Sequence, residues 1–221
     1  MIRFYFFISI INVFFVTAQT NIQSVDNVSI IPKNKIELFD GKSLSGWTFV
    51  STDAKVLLDS VWSVDKGVIV CQGKPNGYIR TVRSYHDYQL HLEWRFPTGP
   101  GNSGVFLHIN GPDKVWPKCF EVQLLSDKAG DIRCNGGSLV QELTTDSPKA
   151  VPHRESSSEK AFGEWNSCDI VCRGNAITVW INSVLQNEVT RTSDTYGSIA
   201  LQAEGKQVDF RNIFLEPLQQ K

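Results

Sequence analysis

No cysteine or histidine spacing in this chain matches a zinc site, no segment repeats, and none has the periodicity of a convincing amphipathic helix. There is no excess of basic charge either: 22 Lys and Arg stand against 23 Asp and Glu, which argues against a nucleic-acid polyanion as partner. Beyond the amino terminus, no apolar run approaches the roughly 20 residues that a membrane helix needs. Cysteine is scarce and odd in number, so at least one of Cys71, Cys119, Cys134, Cys168 and Cys172 stays unpaired. Cys168 and Cys172 sit four apart in an apparent strand, roughly 13 Å between α-carbons, too far to bridge each other. A Cys119–Cys134 bridge would close a short loop worth about 3 kcal/mol in the chain-entropy model, and buried free thiols are the alternative.

The amino terminus has the order of an export signal. Met1-Ile2-Arg3 is a short positive segment, Phe4 to Val16 is almost continuously apolar, and Val16-Thr17-Ala18 is a small-residue cleavage pattern. Residues 1–18 are therefore expected to be a signal peptide cleaved after Ala18, residues 19–35 a flexible leader, and residues 36–221 a single domain. The mature chain would keep 221 − 18 = 203 residues and, without Arg3, 21 basic against 23 acidic side chains. That is enough chain for one large core.

What fills it is a series of short strands broken by Gly, Pro, Asn and Asp. Trp47 to Val50, Trp62 to Val64, Val68 to Cys71, Tyr78 to Thr81, Tyr88 to Phe96, Gly104 to Ile109, Phe120 to Leu125, Trp165 to Cys172, Ala176 to Ile181, Ser198 to Ala203 and Gln207 to Leu215 follow at close intervals. About a dozen such strands, with Asp65-Lys66-Gly67 and Arg173-Gly174-Asn175 as tight turns, predict an all-β sandwich or jelly roll. Thr144 to Phe162, with two prolines and a Ser-Ser-Ser-Glu-Lys run, reads as a long loop, and such loops are often functional lids.

Alternation along the strands selects candidate site residues. In Gly104 to Ile109 the set Gly104, Phe106 and His108 opposes Val105, Leu107 and Ile109; in the next strand Glu121, Gln123 and Leu125 oppose Phe120, Val122 and Leu124. A face joining Phe106, His108, Glu121 and Gln123 has the chemistry of a sugar-binding surface, although a wet outer face would look the same. Glu93 and Arg95 share a face of their strand, as a ligand-facing pair or a surface ion pair. Gln202 and Glu204 could add a second carboxylate. Asn102 and Ser103 follow Gly99-Pro100-Gly101 as ligands or turn formers, and Asp131 is a cation ligand or a turn stabiliser. Trp116 is a candidate stacking platform, with Trp47, Trp62 and Trp165 assigned to the core. Lys118, Lys160 and His153 are expected in solvent-exposed loops.

Eight segments then acquire meaning by their order: Leu38-Phe39-Asp40-Gly41-Lys42-Ser43-Leu44-Ser45-Gly46-Trp47, Trp62-Ser63-Val64-Asp65-Lys66-Gly67, the Tyr88 to Phe96 strand, Asn102-Ser103-Gly104-Val105, Glu121-Val122-Gln123, Gly163-Glu164-Trp165-Asn166, Leu201-Gln202 and Phe210-Arg211-Asn212-Ile213. Over about residues 36 to 218 the chain resembles the 3-keto-disaccharide hydrolase family. No single tetrapeptide is diagnostic; eight in register are hard to obtain by chance. The resemblance implies a concanavalin A-like jelly-roll sandwich of two antiparallel sheets, exported by a bacterium to the periplasm, cell surface or medium. It also implies an enzyme cleaving 3-keto-glycosides or 3-keto-disaccharides. Many members carry arginine just after the Asn-Ser-Gly-Val strand, so His108 is a departure.

The chemistry such a substrate invites differs from that of an ordinary glycosidase, where two carboxyl groups act on the anomeric centre. A ketone at C3 makes the C2 hydrogen acidic, so a base can remove it and expel the C1 substituent, after which water adds. The site needs a base near C2, donors or a cation for the enolate oxygen, and an acid for the departing oxygen. Glu121 is the candidate base or ligand of a divalent cation, His108 the candidate acid or base, and Gln123, Glu93, Arg95, Asn102, Trp116, Gln202 and Glu204 the candidate sugar contacts. Three other classes compete: a non-catalytic lectin-like module, an envelope protein using the sandwich for protein contacts, and a two-carboxylate glycosidase pairing Glu121 with Glu204 or Glu93.

Overall fold

The computed structural model describes residues 28–219, so the expected signal peptide and most of the leader lie outside the described residues. Fifteen strands are found among these residues: β1 (Ile36–Glu37), β2 (Trp47–Ser51), β3 (Trp62–Asp65), β4 (Val68–Cys71), β5 (Gly77–Thr81), β6 (Tyr88–Arg95), β7 (Gly104–Asn110), β8 (Lys118–Gln123), β9 (Ile132–Asn135), β10 (Ala150–Val151), β11 (Asn166–Arg173), β12 (Ala176–Ile181), β13 (Val184–Val189), β14 (Ser198–Ala203) and β15 (Val208–Pro217). One sheet runs β13-β12-β11-β6-β15-β4-β3 with β1 on β15; the other runs β10-β9-β8-β7-β14-β5-β2. This is the expected all-β jelly-roll sandwich. No helix of the described residues is long and apolar enough to cross a membrane. The chain meets the domain slightly before β1, because Ile30 already bridges Tyr85.

The strands form where period-two alternation can bury one face. In β6 Tyr88, Leu90, Leu92 and Trp94 are buried while Gln89, His91, Glu93 and Arg95 are partly exposed, and β11 repeats the pattern beside it. Across the sandwich, Val105, Leu107, Phe120, Val122 and Leu201 close the same core. Truncating one of these, such as Leu92 to alanine, is expected to cost about 2–5 kcal/mol.

Cys119 and Cys134 do not bridge. Cys119 pairs with Asn135 and packs with the outer-face cluster, whereas Cys134 pairs with Phe120 and packs into the core, so the two thiols lie on opposite faces of one sheet. All five cysteines are free and buried.

The long loop also differs from expectation. Gln186 Nε2 donates to the Ser156 carbonyl, and Asn187 Nδ2 donates to the carbonyls of Gly130, Val151 and Pro152. His153 bonds Asp131 through both its backbone N–H and its ring Nδ1. The segment is thus fastened to β13 and, through β10, to β9.

Candidate functional site

Parity decides which side of the seven-stranded sheet a residue faces, and one bulge inverts it. Leu107 pairs with Phe120 and Asn110 with Lys118, so two residues of β7, His108 and Ile109, stand opposite the single Cys119. His108 takes up the extra residue with φ +56°, and its backbone comes so close to Gly197 that a Cβ there would lie 2.4 Å from the His108 carbonyl carbon. Beyond the bulge the faces exchange. Ile109 turns outward to the Phe106 cluster, and His108 turns inward against the edges of Tyr88 and Phe120.

His108 is therefore not a member of the Glu121 site, which corrects the catalytic assignment. It is 1% exposed; its Nδ1 donates to the Asp194 carbonyl at 3.1 Å, and Nε2 has no partner among the described residues. Burial pushes its pKa down to about 4, so near neutral pH it is an uncharged core residue.

Glu93 and Arg95 are corrected as well, because β6 belongs to the other sheet. Glu93 accepts from Arg211 Nε at 2.6 Å and from Asn212 Nδ2 at 3.0 Å, and Arg95 Nε donates to Asp209 Oδ2 at 2.9 Å. The Arg95 and Arg211 guanidiniums flank the Trp165 ring at 4.6 and 4.1 Å, so Trp165 is an outer-face residue, not a core one. Asp131 is occupied by His153, as above, and does not line the site.

The remaining candidates converge, apart from Gln202, which is buried beside the cavity and does not line it. A cavity of about 330 Å³ on the outer face of the seven-stranded sheet is lined by Asn102, Trp116, Glu121, Gln123, Leu125, Arg133, Asn135 and Glu204. Register explains the meeting. Glu121 pairs with Arg133 on β9 and Phe106 on β7; Gln123 pairs with Gly104, which neighbours Gln202 on β14; and Asn102 bridges Glu204 just beyond the ends of those strands. Leu125 shares the face expected for Glu121 and Gln123, whereas Arg133 and Asn135 were missed by the sequence reading because four-residue β9 was not recognised as a strand.

Glu121 is the centre of this arrangement and is 3% exposed. Its Oε2 accepts from Asn135 Nδ2 at 2.8 Å and lies 4.0 Å from Arg133 Nε. Its Oε1 lies over Gly104, where a Cβ would stand only 2.6 Å away, so the absent side chain makes room for the carboxylate. Burial raises the Glu121 pKa to about 7, against the lowering effect of Asn135 and Arg133 and with a further upward push from the Glu204 charge. Burial also raises Glu204, offset in part by Arg133. Gln123 Oε1 accepts the backbone N–H groups of Leu124 and Leu125, which turns its amino end away from those contacts. Gln202 is 1% exposed, and neither end of its amide has a partner among the described residues; nor does Asn102 Oδ1. Trp116 is 48% exposed at the cavity wall.

The set offers one buried carboxylate titrating near neutrality, a second half-buried carboxylate, a guanidinium, several amides and an exposed aromatic ring. It can move a proton, hold a negatively charged oxygen and stack a ring. No cluster of three or more His, Cys, Asp or Glu groups able to hold a metal ion forms among the described residues.

Comparison with known proteins follows the fold. A family model described as a 3-keto-alpha-glucoside-1,2-lyase-like domain matches residues 34–216. No curated protein matches the sequence. Among solved structures, a provisionally named glycosyl hydrolase of Parabacteroides distasonis ATCC 8503 superposes with TM-score 0.63 at 22% identity, covering 84% of this chain and 94% of that one. The carbohydrate binding module CBM66 of Bacillus subtilis gives 0.57 at 13% identity, covering 77% and 95%. The beta-glucanase of Bacillus licheniformis gives 0.56 at 13%, covering 84% and 99%. At these identities the likeness is one of fold.

Proposed function

Since the chain belongs to the 3-keto-alpha-glucoside-1,2-lyase-like family, we propose that it cleaves glycosides whose sugar carries a ketone at C3, by removal of the C2 proton, elimination and hydration. The observation that carries this reading is Glu121: a carboxylate at the floor of a polar cavity, with burial holding its pKa at about 7, where a base is both available and strong enough to act near neutrality. Asn135 fixes one carboxylate oxygen, leaving Oε1 over Gly104 to take the C2 proton. As the C2–H bond breaks, its electron pair moves toward the ketone and the oxygen becomes an enolate. Arg133, which lines the cavity beside Glu121, is the group available to hold that charge. The enolate then expels the C1 oxygen, which takes a proton from the Glu204 carboxyl, a group that burial moves upward from the ordinary carboxylate range. Water adds across the resulting C1–C2 double bond, its hydroxyl at C1 and its proton at C2, and the free 3-keto sugar departs. Trp116 supplies the face for the ring, with Asn102 and the Gln123 amino end on its hydroxyls.

Incubation with 3-keto-trehalose or a 3-keto-glucoside tests the reading, beside the unoxidised glycosides. Turnover of the keto form alone is expected, with deuterium incorporated at C2 when the reaction runs in heavy water. Full retention of the C2 hydrogen would favour direct displacement by the Glu121 and Glu204 carboxylates. Saturable binding of unoxidised glycans without turnover of either form would make the protein a lectin-like module.

We further propose that the protein is exported, from the apolar Phe4 to Val16 run and the Val16-Thr17-Ala18 pattern. A mature chain beginning at Gln19 supports this; one retaining Met1 to Ala18 refutes it.

A further inference from the structure

The connection between β7 and β8, residues 111–117, has only to reverse the chain, yet it leans sideways across the sheet. Asp113 accepts two hydrogen bonds from the Arg80 guanidinium, from Nε at 2.7 Å and Nη2 at 2.9 Å, and the Lys114 carbonyl accepts one from the Tyr78 hydroxyl at 3.0 Å. Arg80 and Tyr78 belong to β5, which is separated from β7 by the whole of β14. The loop and the Arg80 and Tyr78 side chains thus meet across the width of β14. Tyr78, Phe106, Ile109, Cys119 and Ala200 form an apolar cluster on this outer face and are nevertheless excluded from water. An uncovered sheet face would leave such a cluster wet, so the loop is its cover.

Two depressions result. On one side of the loop is the Glu121 cavity, with Trp116 from the loop's returning end as a wall. On the other is a separate depression of about 240 Å³ lined by Thr48, Arg80, Asn110, Asp113 and Ser198 among others. A glycan laid across the strands over Glu121 would run into the loop before reaching β5. The anchoring pair is only partly shielded from solvent, so a lone ion pair would hold the loop weakly. Its two-point geometry, together with the Tyr78 hydroxyl, restricts the direction in which the loop can swing.

We infer that residues 111–117 are a partition that makes the Glu121 cavity blind toward β5, so that the protein takes a terminal sugar unit and excludes a unit inside a longer chain. Arg80, Asp113 and Tyr78 are the residues that set this specificity. The inference rests on the reading of the Glu121 cavity as a glycoside site. It concerns a different part of the substrate from the chemistry, namely how many units extend past the ring being attacked.

The test compares a disaccharide with a terminal 3-keto unit and a tetrasaccharide with the ketone on an internal unit. Wild type is expected to favour the first by at least roughly 100-fold in kcat/KM. The Arg80→Ala, Asp113→Ala double variant frees the anchor and is expected to narrow that ratio by about tenfold, through a gain on the tetrasaccharide with the disaccharide unchanged. Replacing residues 112–114 by two glycines lowers the wall while retaining Trp116, and should narrow the ratio as well; melting curves report that each variant folds. Equal use of both substrates by wild type, or a ratio unmoved in a folded shortened-loop variant, overturns the partition. If wild type turns over neither keto substrate, the proposed reaction fails, and calorimetry with unoxidised glycans of one to four units decides the partition separately. Affinity that stops rising at the second unit in wild type and continues to rise in the shortened-loop variant supports it. Affinity rising to the fourth unit in wild type, or no glycan binding at all, overturns it.

Discussion

Replacing Glu121 by glutamine keeps the shape of the side chain and removes its charge, so one substitution should damage turnover and improve stability. In the folded protein the Glu121 pKa stands at about 7 against an ordinary 4.5, chiefly because the carboxylate is buried. A folded-state pKa above the unfolded value means that between those two pH values the native state holds a proton that the unfolded chain has released. Stability contributed by this group is therefore full below pH 4.5 and lost as the pH rises through 7, a loss of about 3 kcal/mol. Glutamine does not titrate and can still accept from Asn135. The Glu121→Gln chain should match wild type near pH 4 and exceed it by about 3 kcal/mol at pH 8, roughly 6–12 °C in melting temperature for a domain of this size. Turnover should fall by at least roughly 100-fold, as for a lost general base. Paired melting curves from pH 4 to 8 separate this term from every other titration, which cancels in the difference. A stability difference independent of pH would refute the buried-carboxylate argument, and an unimpaired variant would refute the catalytic one.

Three further substitutions probe the neighbouring residues. Gly104→Ala would place a methyl group 2.6 Å from Glu121 Oε1; kcat should drop at least about tenfold while the fold survives, and steady-state kinetics with circular dichroism would check it. Trp116→Ala should raise KM by roughly tenfold with a smaller change in kcat, since about 1.4 kcal/mol of stacking is a tenfold change in affinity. His108→Asn, a residue that tolerates positive φ, should leave kcat near wild type and cost about 1–3 kcal/mol in urea unfolding. In wild type the His108 pKa is depressed from 6.5 to about 4. Its contribution is therefore present above pH 6.5 and lost as the pH falls through 4, and His108→Asn should blunt that acid-side loss.

The fold was legible because its evidence is repeated at every strand. The Tyr88 to Phe96 alternation is one of many, and burial of one face in two sheets is the arrangement that satisfies them all. The strands that escaped notice are those where alternation is too short or interrupted. β9 is four residues long and ends at paired glycines, and β13 buries the amides of Gln186 and Asn187 where apolar side chains were to be expected, because those amides anchor a loop the sequence does not locate.

At the site the limit is sharper, since sequence gives parity along one strand but not which strands are neighbours. Glu121, Gln123 and Trp116 come together because they belong to one hairpin, which is readable locally, whereas Glu204 joins them through its bridge to Asn102, far away in sequence. Glu93 and Arg95 have the same parity signature as Glu121, and only strand order assigns them to the other sheet. His108 is the instructive case. Its strand alternates faithfully through Leu107, and one inserted residue then exchanges the faces, taking up a positive φ against Gly197, which is distant in sequence. A bulge has no signature in hydrophobic periodicity, because the cluster that receives Ile109 on the outside is itself apolar and covered. The covering loop and the bulge are thus linked: the loop provides a dry outer surface for Ile109, which lets His108 turn into the core and leaves Glu121, with its Asn135 and Arg133 partners, as the titrating centre of the cavity.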